Sequence, residues 1–259
     1  MTPQFTPKAV GARDDVRLGI DFGGTGIKGA AVDLADGSLA GPKRRLDTPR
    51  PATPTAVVEV FREVLEFNPR VDGPVGVTVP GIIRAGVVGR APNIHPGWHG
   101  LDAPAYLSEH LDREVTVIND ADAAALAEHR FGAAKGRQGT VIVTTLGTGI
   151  GSGLLRDGVL VPNVEAGHME LHGGMAEHYA ATSAREHLNL PWEEWAGRLT
   201  EFYRLVERIF TPDLIVVGGG VSKAHEKFLP LIDVSTEIVP AQLRNRAGIV
   251  GCALRTLPD

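Results

Sequence analysis

Short hydrophobic runs flank a glycine-rich turn near the start of the chain, and the same arrangement returns in its second half. Runs of this length, bounded by glycine, are typical of strands joined by a tight turn. The predicted strands cover 17–21 and 28–34 around the turn at 23–26, and 140–145 and 150–156 around the turn at 147–149. The pattern therefore predicts two β-hairpins, one in each half of the chain.

Between and after these hairpins, strand patterns alternate with amphipathic helices. Apolar residues at helical spacing predict helices over 55–67, 102–111, 121–131, 183–188, 192–210 and 247–256, the second of them capped by Asp102. Short apolar runs predict strands over 39–47, 74–79, 115–118, 214–217 and 235–239, and a further hairpin over 82–89. This alternation predicts an α/β fold.

Composition narrows the class of protein. The chain has 259 residues, 43% hydrophobic and 22% charged, which suits one large domain or two small ones. A net charge of −5 disfavours general binding to nucleic acid or to an anionic membrane. Cys252 is the sole cysteine, which excludes an intrachain disulfide and favours the cytoplasm. No apolar run is long enough for a membrane span, and the first 16 residues lack the apolar core of a secretory signal.

The first hairpin turn has the residue types that bind phosphate. Glycine lets backbone N–H groups approach a phosphate closely, Thr25 adds a hydroxyl and Lys28 a cation. Asp21 could hold a hydrated Mg²⁺. A strand rather than a helix follows, unlike the Walker and dinucleotide motifs. One such turn is equally consistent with an ordinary hairpin, and it is the second glycine hairpin that favours phosphate binding.

The duplicated hairpins resemble the phosphate-binding hairpins of the hexokinase–actin–Hsp70 superfamily. This resemblance implies a two-lobed, duplicated ribonuclease H-like fold with a central cleft between the lobes. We expect one lobe to comprise residues 1–120 plus 247–259 and the other to comprise 121–246.

Three polar or glycine-rich clusters stand at the ends of predicted strands. Asn119 and Asp120 follow one strand at the start of a helix, where a cleft commonly lies; Asp120 is either a plain N-cap or part of a catalytic pair, and the adjacent Asn119 favours the pair. The glycines 218–220, with Ser222 as a helix cap, suit either ligand contact or a simple turn. The Glu and His residues of 165–178 are consistent with binding of a metal ion, binding of sugar hydroxyls or simple exposure to water.

Five motifs together resemble the ROK family of sugar kinases and repressors, in order and over roughly residues 17–256. They are Asp21-Phe22-Gly23-Gly24-Thr25, Asn119-Asp120-Ala121-Asp122-Ala123, Gly147-Thr148-Gly149-Ile150-Gly151, Glu165-Ala166-Gly167-His168 and Val217-Gly218-Gly219-Gly220. The resemblance implies a kinase in which Asp120 is the general base for the 6-hydroxyl of a hexose. It further implies hexose contacts from Gly81, Asn93, Asn119, Asp120, Glu165, His168 and Glu177.

The resemblance also implies a donor site. Its residues would be Asp21, Gly23, Gly24, Thr25, Lys28, Thr148, Gly149, Gly219 and Gly220, with Asp21 reaching Mg²⁺ directly or through water. Residues 169–183 contain no cysteine, so the zinc site common in the family is not expected. This departure and the short chain resemble the polyphosphate glucokinase and glucomannokinase branch, which uses polyphosphate or ATP. Lys28 is then the first candidate cation for polyphosphate, followed by Arg44, Arg45, Lys223 and Arg244.

Three alternatives remain open at this point. One is an ATP-only kinase acting on fructose, mannose or an N-acetylhexosamine; the second is a sugar sensor without catalysis; the third is an actin-like assembly protein, which does not explain the Glu-x-Gly-His cluster. About 16 residues precede the first strand, too few for a helix-turn-helix domain, so a DNA-binding repressor is not expected. A monomer and a homodimer are both consistent with the sequence.

Overall fold

Two five-stranded sheets form the framework of the protein in a computed structural model, which describes residues 15–89, 91 and 94–257. The strands are β1 (Val16–Phe22), β2 (Gly26–Asp33), β3 (Arg44–Asp47), β4 (Val75–Thr78), β5 (Ile83–Arg84), β6 (Val87–Val88), β7 (Val115–Ile118), β8 (Thr140–Leu146), β9 (Ile150–Arg156), β10 (Val159–Val161), β11 (Glu170–Leu171), β12 (Gly174–Met175), β13 (Leu214–Gly218) and β14 (Ile238–Pro240). The helices are α1 (Pro54–Phe67), α2 (Ala103–Leu111), α3 (Asp120–Phe131), α4 (Ala176–Ala180), α5 (Thr182–His187), α6 (Trp192–Phe210) and α7 (Ala247–Leu254).

The two sheets repeat one topology. Their strand orders are β3-β2-β1-β4-β7 and β10-β9-β8-β13-β14. In each sheet an antiparallel hairpin, β1–β2 or β8–β9, is extended on one side by parallel strands. The predicted hairpins and the duplicated α/β fold are therefore confirmed.

Helices α3 and α7 lie between the sheets and contact them through glycines. A Cβ at Gly19 of β1 would overlap the carbonyl of Ile249, and one at Gly76 of β4 would overlap that of Cys252. On its other side α7 meets α3, where a Cβ at Gly251 would overlap the carbonyl of Ala123. Helix α7 thus packs back onto the first sheet, and the division into lobes at residue 120 stays a prediction.

Each sheet is also covered on its outer face by an amphipathic helix. Helix α1 begins at a cap in which the Thr53 hydroxyl accepts the N–H of Ala56 (3.2 Å), and it buries Val57, Phe61 and Val64. Helix α6 buries a stripe of apolar and aromatic side chains along its length: Trp195, Leu199, Phe202, Tyr203 and Val206. Burial of such a stripe contributes most of the stability of helices of this kind.

Three predicted elements differ in the structure. The strand expected over 39–47 is limited to Arg44–Asp47 because Pro42 cannot donate to a ladder, and Leu39 keeps only a single bridge to Val32. The last strand lies at Ile238–Pro240 rather than 235–239. Ser222 does not cap a helix: its hydroxyl donates to the carbonyl of Gly219 (2.8 Å), and the chain continues as 3₁₀ turns over Gly220–Lys227.

Along the described residues, no helix has both the length and the hydrophobicity needed to cross a membrane.

Candidate active site

Asp120 stands where β7 ends and α3 begins, and it is not the residue that caps the helix. The N-cap is Asn119, whose Oδ1 accepts the N–H groups of Ala121 (2.8 Å) and Asp122 (3.1 Å). The Asp120 carboxylate accepts only the N–H of Ala121 (3.0 Å) among the hydrogen bonds of the described residues. The plain N-cap interpretation of Asp120 is therefore wrong, and its carboxylate is available for chemistry.

A cavity of about 190 Å³ lies in front of this carboxylate, between the two sheets. The first sheet contributes Asp21 and Lys28 to its lining, and the second contributes Thr145 of β8 and the glycines 218–220. Of the predicted site residues, the structure thus brings Asp21, Lys28, Asp120, Gly219 and Gly220 together around one space. Gly218 of the predicted triple glycine also lines it, as do Thr145 and Gly248, which sequence reasoning did not assign to the site.

The environment of Asp120 makes its carboxyl less acidic than usual. Burial is the main cause, and the negative charges of Asp21 and Glu165 add to it, so that the pKa of Asp120 rises to about 6. Near neutral pH the group is still ionised, but its proton affinity is higher than that of an exposed aspartate. A carboxylate with this pKa is suited to accept a proton at neutral pH.

Asp21 faces the same cavity and is held by three neighbours. The Thr78 hydroxyl donates to its Oδ1 (3.1 Å), and Lys28 Nζ lies 3.4 Å from its Oδ2. Thr78 is fixed in turn, because its hydroxyl oxygen accepts the N–H of Phe22 (2.9 Å). On the other side is Gly248, where a Cβ would stand 2.8 Å from the carboxyl carbon of Asp21.

These contacts fit a magnesium ion that arrives with a phosphate donor. The Asp21 carboxylate is a hard oxygen ligand, and the missing side chain of Gly248 leaves room beside it. In the described ranges no group of three or more His, Cys, Asp or Glu side chains is assembled to hold a metal ion. Phosphate oxygens and water would therefore have to supply most ligands, as is usual for Mg²⁺ in kinases.

Glu165 and His168 of the fourth motif form a second cluster with Glu177. His168 Nδ1 lies 3.8 Å from Glu165, and its Nε2 lies 3.7 Å from Glu177. Glu177 also accepts the N–H of Ile150 at the base of the second hairpin turn (3.2 Å), and Gly149 has no Cβ that would obstruct it. Because the charge of Glu165 raises the pKa of Asp120, this cluster lies close to the Asp120 carboxylate.

Asn119 connects two of the predicted hexose residues on the side of the first sheet. While its Oδ1 caps α3, its Nδ2 donates to the carbonyl of Gly81 (3.0 Å). One N–H of that amide is left for a ligand, so Asn119 both positions the loop and could contact a hydroxyl. Asn93 lies outside the described residues.

The tips of both hairpins do not line this cavity. At the first tip, the Gly23 N–H donates to Gly26 (3.1 Å), and the Thr48 hydroxyl donates to the carbonyl of Gly23 (2.6 Å). Gly24 and Thr25 there are exposed, as is Thr148 at the second tip. The second tip is held by Ser183 of α5, whose N–H and hydroxyl donate to the carbonyls of Gly147 (3.1 Å) and Thr148 (2.6 Å).

The candidate cations are divided between two places. Lys28 and Arg244 line the cavity, and Lys223 lies in a neighbouring one. Arg44 stacks over the Phe67 ring on the edge of the first sheet, 5.5 Å from its centroid. Arg45 covers Gly26 near the first hairpin tip and pairs with Asp47 (3.1 Å).

Asp122 and Asn163 complete the surroundings of the site, and sequence reasoning assigned neither a role. Asp122 is buried, and its Oδ2 accepts the N–H of Asn163 (3.0 Å). Burial and the charge of Glu165 raise the pKa of Asp122 to about 6. The Asn163 amide meets the backbone of Ile83 twice: Oδ1 accepts its N–H and Nδ2 donates to its carbonyl, both at 2.8 Å. The only sequence signal was that Asp122 belongs to the second motif.

Comparison with known proteins agrees with this geometry. The model of the ROK family matches residues 17–178. The chain is 45% identical over 244 residues to polyphosphate glucokinase of Mycobacterium tuberculosis. The aligned region covers 93% of this chain and 91% of that protein. It resembles the crystal structure of the inorganic polyphosphate/ATP-glucomannokinase from Arthrobacter sp. strain KM with a TM-score of 0.90 and 49% identity, over 94% of this chain and 98% of that one. A ROK family glucokinase from Streptomyces griseus shares the fold, with a TM-score of 0.78 and 24% identity over 93% and 98% of the two chains.

Proposed function

Because this chain belongs to the ROK family, we propose that it transfers the terminal phosphoryl group of inorganic polyphosphate or ATP to the 6-hydroxyl of glucose, and also of mannose. The observation that carries the proposal is the position of Asp120 in a cavity that also contains Asp21, Lys28 and the glycines 218–220. A base on one side of a cleft and donor-binding groups on the other are what phosphoryl transfer requires.

Asp120 is the general base in this proposal. Its carboxylate accepts the proton of the 6-hydroxyl while the hydroxyl oxygen bonds to phosphorus and the bond from phosphorus to the leaving phosphate breaks. The proton ends on Asp120, and the donor leaves as a polyphosphate shorter by one unit or as ADP. A pKa near 6 supports this role, because the group is ionised at neutral pH and still a stronger base than an exposed aspartate.

The hexose is held by the residues that border Asp120. We assign its remaining hydroxyls to Asn119, Glu165, His168 and Glu177, with Gly81 and Asn93 completing the pocket. A sugar hydroxyl both donates and accepts, so a mixed set of carboxylates, imidazole and amide is chemically suited to it. The ring of His168 lies between two carboxylates, which supports a shared ligand for the three side chains.

The phosphate donor occupies the opposite side of the cavity. We assign its binding to Lys28, Gly219 and Gly220 there. When the cleft closes, the two hairpin turns add the backbone N–H groups of Gly23, Gly24 and Gly149 and the hydroxyls of Thr25 and Thr148. Magnesium bound with the donor would neutralise phosphate charge, and Asp21 would hold it directly or through water. The glycines at 218–220 would approach the adenosine of ATP.

The lobes we propose are residues 1–120 with 247–259, and 121–246, closing on the hexose so that water does not compete as acceptor. The packing of α7 on β1 and β4 supports this division, because it returns the end of the chain to the first sheet. We propose the cytoplasm as the compartment, and the free, buried thiol of Cys252 is consistent with it.

A matrix of hexoses and donors tests the proposal. Glucose, mannose, fructose and N-acetylglucosamine are each assayed with polyphosphate and with ATP, with and without Mg²⁺, in the native enzyme and in Asp120→Asn. We expect turnover of glucose and mannose with both donors, loss of turnover without Mg²⁺, and loss in the variant. Turnover with ATP alone would support the ATP-only kinase instead, and binding of hexose without any turnover would support a sensor.

A further inference from the structure

A second cavity of about 490 Å³ adjoins the catalytic one. The two share Ala241, Arg244 and Asn245 in their linings, so a bound chain could pass from one to the other along this loop. Lys223 and His225 contribute from the turns after β13, and Arg246 contributes from the start of α7. None of the five sequence motifs contributes a residue to the lining of this second cavity.

The lining of the second cavity is strongly basic. It contains Lys223, His225, Arg244 and Arg246, and no Asp or Glu. Among the ion pairs of the described residues, Lys223, Arg244 and Arg246 have no acidic partner, whereas six other arginines do: Arg45 with Asp47, Arg62 with Glu59, Arg137 with Glu237, Arg156 with Asp157, Arg198 with Glu194, and Arg204 with Asp233. Three unpaired cations around one cavity, in a chain of net charge −5, form a local attraction for a polyanion.

The loop that carries these cations is held rigidly by a buried acid. Glu128 of α3 is fully buried, and its carboxylate accepts the N–H groups of Ala133 (2.8 Å), Gln242 (3.1 Å) and Leu243 (2.7 Å). Directly after this anchor, Arg244 has a φ of 51°, in the left-handed region that is unfavourable for a residue other than glycine. The anchor therefore maintains an unfavourable backbone that places a cation at the junction of the two cavities.

The ring of His225 in this cavity is held by one hydrogen bond. Its Nδ1 lies 3.0 Å from the carbonyl of Ser222, which makes Nδ1 the donor to that carbonyl. In this tautomer Nε2 is an acceptor and does not donate to a phosphate oxygen, so the cations of the cavity are Lys223, Arg244 and Arg246.

We propose that the second cavity binds the distal phosphates of an inorganic polyphosphate chain whose terminal phosphate lies in the catalytic cavity. The inference rests on the proposed function, which it deepens by giving the donor chain a path. Every internal phosphate of such a chain is anionic and none carries a base, so its recognition depends on cations along the path. A nucleotide donor ends after three phosphates in a ribose and a base, which cations stabilise far less.

The test removes two charges from the second cavity while leaving Arg244, which also lines the first. The variant is Lys223→Gln/Arg246→Gln, and its control is Arg70→Gln/Arg208→Gln, which removes the same charge from two exposed positions that line neither cavity. KM is measured for long-chain polyphosphate, tripolyphosphate and ATP. We expect KM for the long chain to rise about tenfold, from the loss of two partly solvated charge contacts, while KM for tripolyphosphate and ATP changes by less than about twofold.

Three results would overturn the inference: an equal rise for ATP, a rise that does not depend on chain length, or the same rise in the control variant. The first of these would assign the cavity to the nucleotide. Arg246→Lys, which keeps the charge, should restore most of the affinity if the change is not a folding defect.

A binding measurement separates this inference from the proposed function. Long-chain polyphosphate is titrated into Asp120→Asn with and without the two cavity substitutions, so turnover is not needed. Weaker binding after the substitutions supports the inference even if the native enzyme transfers no phosphate to hexose, and unchanged binding refutes it even if transfer is fast.

Discussion

Replacing Asp120 by asparagine should inactivate the enzyme and stabilise its fold at the same time. Asparagine has nearly the same shape and keeps an oxygen for the Ala121 N–H, but it carries no charge and cannot take up the hydroxyl proton. Without the base, turnover should fall by on the order of 10²-fold or more while hexose still binds. The gain in stability follows from the environment that makes the carboxylate a base.

The size of that gain follows from the raised pKa. Burial and the charges of Asp21 and Glu165 move the pKa of Asp120 from 3.8 to about 6 in the folded protein. Since one pKa unit corresponds to about 1.4 kcal/mol, ionised Asp120 lowers the free energy of unfolding by about 3 kcal/mol above pH 7. Asp120→Asn removes this penalty.

The direction in which the stability gain changes with pH distinguishes a raised pKa of Asp120 from other causes. Between pH 3.8 and 6 the folded protein binds more protons at this group than the unfolded chain does, so the stability that the group contributes falls as pH rises through that window. The advantage of the variant should therefore be complete above pH 7 and absent near pH 3.5. Urea unfolding at pH 7.5 and at low pH, with matched hexokinase assays, measures both effects.

Asp72→Asn is the control, because it removes the same charge from an exposed position. It should keep full activity and change the free energy of unfolding by less than about 0.5 kcal/mol. The reasoning is refuted if Asp120→Asn is no more stable than the native protein at pH 7.5, or if its advantage persists unchanged at pH 3.5.

Three further predictions concern pH, salt and the loop that holds the hexose pocket. The rate at low hexose concentration should fall about tenfold from pH 7 to pH 5, because protonated Asp120 cannot act as a base; a flat profile over this range would contradict the assignment. KM for polyphosphate should rise more steeply with ionic strength than KM for ATP, because the contacts of polyphosphate are nearly all electrostatic, and equal slopes would exclude a cationic path. Asn163→Gly keeps the backbone free to adopt its φ of 62° but removes both hydrogen bonds to Ile83; we expect a loss of about 2 kcal/mol in the free energy of unfolding and a higher KM for hexose, and an unchanged KM would mean that the contact does not position the pocket.

Features that depend only on neighbouring residues in the sequence were predictable. The hairpins around Gly23 and Gly147 were predictable because strand, glycine turn and strand follow one another in sequence. The position of Asp120 between β7 and α3 was predictable because a strand pattern ends and a helix pattern starts there. The strand over 39–47 was predicted too long because Pro42 interrupts the ladder at a point that hydrophobicity alone does not mark.

Contacts between distant segments were not predictable. Asn163 acts on Ile83, which lies 80 positions earlier, and no pattern around either residue indicates the other. The candidate cations could be named from the sequence, but their positions in the fold could not be predicted. Arg44 and Arg45 lie on a sheet edge, while Lys223 and Arg244 lie at the cavities. Their separation depends on how β13 and the loop before α7 meet in space.

The glycine contacts of α7 set the distance between the chain segments that carry Asp21 and Asp120. Gly19 stands two residues before Asp21, and Ala123 stands three residues after Asp120, so α7 separates the two carboxylates as a spacer whose thickness is one helix backbone. Peptide groups touch on both sides of it, and no rotamer can lengthen or shorten that stack. Across α7, the distance between the end of β1 near Asp21 and the start of α3 at Asp120 is therefore fixed by backbone contact and not by side-chain packing.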